Sequence, residues 1–281
     1  MNSREKQRTT YIPQPDGVSF AGVLRSEFIK ITSLRSTAGL LLAIVVFGVG
    51  VSMALGLTLQ DAGLPVAGSP AFMLDQVTIG TVLFGQLIAG ILGVLLITGE
   101  YSSGTIQPTL IAVPSRLPVL PAKAVVLFST STAAALIALV GSWAVTYPMF
   151  AVFGLEIGLE APGVVLALVG GAVYIGLSAF LGLGSGAMLR SVAAGIVTVI
   201  SVILLLPIVL SVLPASQLVR NFHLLTMSKA GDAMTSVADT GGLFVDLTHG
   251  YISTGAGWMI AVVWASAFLV IGAVLFRRRD A

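Results

Sequence analysis

The 281 residues contain no cysteine. Disulfide frameworks, thiolate metal sites and cysteine nucleophiles are thereby excluded. Only two histidines are present, His223 and His249, so a zinc-protease helix of the HExxH type is excluded as well. No Gly-Lys dipeptide occurs, which removes the GxxxxGK[ST] phosphate loop: the chain cannot bind ATP by a P-loop of its own. Charge is scarce too. Asp, Glu, Lys and Arg make up 9% of the residues, against about 25% in a soluble domain. What remains is oil, at 56% hydrophobic residues and a mean hydropathy of +1.02. Several uncharged runs exceed the roughly 20 residues that span a bilayer, and the sequence reads as a polytopic membrane protein.

The apolar runs predict an all-α membrane protein with six transmembrane helices, at roughly 37–59, 77–98, 123–153, 162–188, 191–213 and 254–276. They form one transmembrane domain over 18–281, behind a cytoplasmic N-terminal tail at 1–17. About 36 polar or amphipathic residues precede the first run, which is too long for the core of a signal peptide. The third run is longer than a span needs; either it tilts or Pro148 ends its regular part. Pro207 is expected to kink the fifth. The fourth and fifth are separated only by Leu189-Arg190-Ser191, a tight helical hairpin. With both termini placed in the cytoplasm, 12 of the 14 basic residues lie inside and only Arg220 and Lys229 outside, as the positive-inside rule requires.

Ahead of the first span, 18–36 reads as an amphipathic elbow helix. Phe20, Val23, Leu24, Phe28, Ile31 and Leu34 recur at helical spacing, while Arg25, Ser26, Lys30 and Ser33 lie mostly off that stripe. Such a helix lies in the membrane interface. A simple anchor and an elbow that meets a cytoplasmic partner fit the pattern equally. The outer segment 214–250 reads as short helices on the outer face, and 60–76, with Pro65 and Pro70, as a smaller outer loop. Gly182, Gly184 and Gly186 sit at the end of a span, where they predict close helix packing rather than a dinucleotide fingerprint. Glu156 and Glu160 read as solvated loop residues. Every Asp and Glu can be placed in a loop or at a span boundary. No internal repeat is evident, which gives an inverted-repeat carrier no support.

Between the second and third spans stands GEYSSGTIQPTLIAVPSR, residues 99–116, longer and more patterned than a turn requires. Thr105 can cap a helix, Pro108 is tolerated in its first turn and Pro114 ends it. The spacing of Ile106, Leu110, Ile111 and Val113 gives the intervening two turns an apolar side. This stretch, with Glu100-Tyr101, Gly104-Thr105, Thr109-Leu110, Ala112-Val113-Pro114, Arg116 and then Lys123, resembles the first cytoplasmic loop of ABC-2 type transporter permeases, the membrane subunits of many bacterial ABC exporters. The elbow, the six spans and the inward termini fit the same family, and MSKAGDAM before the last span is similar, more loosely, to its external segment. Gln107 and Leu117-Pro118-Val119 depart from the family's more basic and polar pattern.

The resemblance implies that the loop 99–118 is a coupling helix docking on a separate ATP-binding subunit. Glu100, Tyr101, Gly104, Thr105, Leu110 and Arg116 would shape that contact. It further implies a permease without catalytic residues, in the bacterial plasma membrane. Two copies, or this chain and a related permease, would pair with two cytoplasmic P-loop ATPase subunits, on which ATP and magnesium would be bound. Apolar faces of the first, second and fifth spans would meet a hydrophobic or amphipathic cargo: a drug, a peptide or a lipid-linked molecule. No nucleic acid, resident metal or cofactor is expected. A rival reading from the same residues is a non-transporting sensor or scaffold whose segment 214–250 binds an outside ligand. A membrane enzyme ranks below both, for want of clustered intramembrane His, Asp or Glu.

Overall fold

The computed structural model describes residues 19–59, 70–102, 119–214, 216–237, 245–246 and 251–279. Six helices in it are long and apolar enough to cross a membrane. In chain order the elements are α1 (Phe20–Ser33), α2 (Arg35–Leu57), α3 (Pro70–Ser102), α4 (Val119–Ala151), α5 (Val164–Leu189) and α6 (Val192–Ile200). There follow a π-helical turn at Ser201–Leu205, α7 (Leu206–Val212), α8 (Gln217–Leu224) and α9 (Met227–Thr235). A two-residue antiparallel pair, Val245–Asp246 with Tyr251–Ile252, leads to α10 (Thr254–Arg279). The fifth span is thus α6, the π turn and α7 end to end.

Helix α5 is the axis of the bundle. Of its span window 72% is buried, against 22% for each of α2, the α6–α7 span and α10. Its sequence explains why. Glycine and alanine remove side chains where α3, α4 and α10 must cross it, and the backbones close in. A Cβ on Gly182 would run into the Gly90 carbonyl of α3, and one on Gly184 into the backbone of Phe268 in α10. The packing reading of this glycine cluster therefore holds. Deeper in the same interface the buried Tyr174 hydroxyl donates to Oε1 of Gln86, itself 3% exposed, so α3 and α5 also share a polar bond inside the apolar core.

Several boundaries differ from the sequence expectation. Helix α3 begins at Pro70, not near 77, because a proline is well tolerated in a first helical turn and Asp75 continues the helix instead of ending it. Residues 99–102, expected in the loop, are the last residues of α3. Helix α4 passes through Pro148 to Ala151. Ahead of Pro207 the chain adopts the π turn, which reorganises the backbone bonds that a proline leaves unmatched. Leu189-Arg190-Ser191 is a tight corner as expected: Arg190 caps α5 at φ +53°, and the Ser191 hydroxyl accepts from Ala194 N–H to start α6. The segment after α7 does form short helices, but α9 does not merely lie on a surface. Met227, Ala230 and Met234 are fully buried, and Gly231 lies flat against the Tyr174 ring, where a Cβ would come within 2.6 Å of the phenol carbon. The Trp264 indole N–H donates to Leu225 O at 2.9 Å and ties α10 to the corner between α8 and α9.

Candidate functional site

At the end of the bundle where α3 stops and α4 starts, four ion pairs gather among the described residues. Four side chains close a ring there. Lys123 Nζ lies 2.6 Å from Glu27 Oε2 and 2.9 Å from Glu100 Oε1. Lys30 Nζ lies 2.7 Å from Glu27 Oε1 and 3.1 Å from the same Glu100 Oε1. Each lysine therefore holds both carboxylates, and the ring is neutral. It joins three elements: Glu27 and Lys30 come from α1, Glu100 from the end of α3 and Lys123 from the beginning of α4.

Local structure explains how the four meet. Ser19 caps α1, its hydroxyl accepting from Gly22 N–H, so the helix register is set from its first turn. Val23, Glu27 and Ile31 then fall on one face at four-residue spacing, and that face is buried against α4. Phe20, Phe28 and Leu34 of the expected stripe are exposed. The stripe is thus split: an acidic residue occupies the middle of the packed face, and the aromatic residues turn outward. Lys123 is reached one turn into α4, with its side chain 1% exposed.

Buried charges demand such a ring. An ion pair out of water loses hydration worth several kcal/mol per ion, which only close partners offset. For Glu27, burial pushes the carboxyl up. The charge and hydrogen bond of Lys123, with Lys30 behind them, outweigh that and hold it below its ordinary value of 4.5. For Lys30, burial pulls the ammonium down, but the hydrogen bond to Glu27 and the charges of Glu100 and Glu27 hold it above its ordinary 10.5.

Tyr101, next to Glu100, turns to the other side. Its ring meets Phe276 of α10 edge-on at 6.4 Å between centroids, and the Arg190 guanidinium stands 5.1 Å over its face. The last turn of α3 thus grips α1 and α4 through Glu100, and α10 and the α5–α6 corner through Tyr101. Of the six residues expected to shape the loop, the structure places Glu100 and Tyr101 in this hub. Gly104, Thr105, Leu110 and Arg116, with the short helix expected around them, lie outside the described residues. Sequence reasoning missed Glu27 and Lys30 as partners of Glu100. The available signal was Glu27 itself, an acid midway between Val23 and Ile31 on an otherwise apolar face, which requires a cation nearby.

Among the described residues no group of three or more His, Asp or Glu could hold a metal ion. Comparison with models of protein families and with curated proteins returns no match to this chain.

Proposed function

We propose that this chain is the membrane-spanning permease subunit of an ABC exporter of the ABC-2 type. It would carry a hydrophobic or amphipathic substrate, using ATP hydrolysed on a separate cytoplasmic ATPase. The observation that carries the reading is the charge ring. Both flanks of residues 103–118 and the helix ahead of the first span are fastened to one another at one point, where Glu27 and Lys123 are buried and Lys30 reaches the surface. A membrane turn alone has no use for such a fastening; a loop that must pass a push to the spans does. The patterned sequence of that loop and the six-helix architecture support the same reading.

In this mechanism residues 103–118 dock on the ATPase at the cytoplasmic face. Closure of the ATPase pair displaces the loop. Glu100 and Lys123 pass the displacement to α1, α3 and α4, and Tyr101 passes it to α10 and the α5–α6 corner. The spans then change packing, and the π turn beside Pro207 supplies a bend in the fifth. Two permease chains face two ATPase chains across this assembly, and both termini of each permease chain lie in the cytoplasm. The chain itself performs no chemistry.

The test is a pull-down of the tagged chain in mild detergent from cells that express the candidate ATPase. A stoichiometric P-loop ATPase is expected, lost when residues 103–116 are scrambled while the ring residues are kept. Recovery of the chain alone from the same cells contradicts the reading and favours a sensor or scaffold.

A further inference from the structure

Beside the charge ring lies a cavity of about 640 Å³ between the α1–α2 corner and the end of α3. One wall is apolar, formed by Leu40, Leu92, Leu95 and Leu96. The other wall is the first turn of α2, and that turn is short of partners. The helix has no side-chain cap, its first turn carries no acidic residue, and its N-cap is Leu34. Its first backbone bond runs from Ala38 N–H to Leu34 O at 3.1 Å, and the N–H groups of Arg35, Ser36 and Thr37 have no backbone acceptor among the described residues. Thr37 adds a second and independent signal. It is 4% exposed, it lines the cavity, and its hydroxyl makes no hydrogen bond to another described residue. The side chain is buried but its oxygen is still accessible, and the cavity it lines is where a partner can reach it. Lys30 adds a third. Its ammonium has three donors, two of which go to Glu27 and Glu100, leaving one at the cavity it lines.

The ring's charges cancel, and what the cavity offers is donors: three helix N–H groups, the hydroxyls of Ser36 and Thr37, one ammonium N–H and the positive end of the α2 dipole. The one carboxylate on the lining, Glu100, is already held by both lysines. A free phosphate would occupy a small part of this volume and leave the leucine wall wet. A molecule with a phosphate and an acyl chain fills both halves. The cavity also stands where the apolar helix α2 begins and α3 ends, and lipid headgroups lie at the ends of membrane-spanning helices.

We propose that this cavity is a binding site for a membrane phospholipid, with the phosphate on the first turn of α2 and Lys30, and one acyl chain along Leu40, Leu92, Leu95 and Leu96. The site does not depend on the transport reading; a lone membrane scaffold would bind the lipid equally. The bound lipid completes the corner between α1 and α2 and fills the space beside the ring.

Native mass spectrometry of the full chain, titrated with phosphatidylglycerol in detergent, tests it. The account expects one retained lipid, about tenfold weaker binding of diacylglycerol, which lacks the phosphate, and no displacement by millimolar inorganic phosphate. Thr37→Val should weaken phosphatidylglycerol binding about tenfold without changing diacylglycerol binding. Leu95→Trp, at a half-exposed position, should weaken both. Each variant is scored only as a monodisperse protein, and Ser36→Ala, at an exposed site, serves as a milder probe of the same headgroup contact. Equal binding of the two lipids, wild-type affinity in both Thr37→Val and Leu95→Trp, or displacement by inorganic phosphate would each overturn the proposal.

Discussion

Lys123 is the residue on which the ring depends most. Removing it strands Glu27 in a buried site with Lys30 alone shared between two carboxylates. Lys123→Met should therefore cost about 3–5 kcal/mol of stability, read as a lowered unfolding midpoint in detergent. Replacing the buried pair together, as Glu27→Leu with Lys123→Met, should recover most of that loss, because apolar groups of similar volume need no hydration. The double variant also separates roles. It should fold and still bind the ATPase yet fail to stimulate it, whereas restored stimulation would reduce the ring to a structural clasp. Tyr101→Ala should leave α1 in place while loosening the α5–α6 corner, measured as faster hydrogen exchange around Arg190.

The same ring sets a pH window. Glu27 holds its proton less tightly in the fold than in the unfolded chain, so its contribution is full above 4.5 and is lost as pH falls through its lowered value. Lys30 holds its proton more tightly, so its contribution is full below 10.5 and is lost as pH rises through its raised value. Protection of the α1 amides near Val23 and Ile31 should accordingly be flat from about pH 6 to about pH 9 and fall only in acid or strong base. A midpoint near neutrality would contradict this charge assignment.

At the scale of elements, the spans were legible because uninterrupted apolar runs of bilayer length have few alternative structures. Their ends were not. Asp75 and Gln76 look like loop residues, yet α3 includes both, and its extra turns bring Asp75 opposite Asp232 of α9 across a cleft that also contains Gln86. The burial of α9 was equally hidden, since MSKAGDAM is too polar to advertise a core helix. What lets it sink is Gly231 against the Tyr174 ring. The charge ring was half legible. Glu100 and Lys123 belong to one recognisable pattern, but Glu27 and Lys123 lie 96 positions apart, and no local periodicity links them. Packing at the glycine crossing can be tested directly. Gly182→Leu forces α3 and α5 apart and should cost about 1–3 kcal/mol or more, whereas Gly39→Leu, on α2 with open space around it, should be tolerated.

For the whole molecule, three spans bury only 22% of their residues within one chain, and the lipid bilayer or a second copy of the chain must cover what is left. The account places both termini and the charge ring in the cytoplasm and α8 outside. The native absence of cysteine makes this easy to examine with single replacements. Gln217→Cys, at an exposed position of α8, should react with an impermeant maleimide on intact cells. Ser26→Cys, exposed on α1, should react only after permeabilisation. The reverse pattern would invert the topology and remove the loop from the side on which the proposed ATPase would stand.

If the proposed function is right, residues 103–118 touch an ATPase. A photo-crosslinking amino acid placed at position 110, with a second at 217 as control, tests this most directly in living cells. Position 110 should give an ultraviolet-dependent adduct to a P-loop ATPase, and position 217 none. Cross-linking from 110 to lipid alone, in cells where the candidate ATPase is expressed, would contradict it.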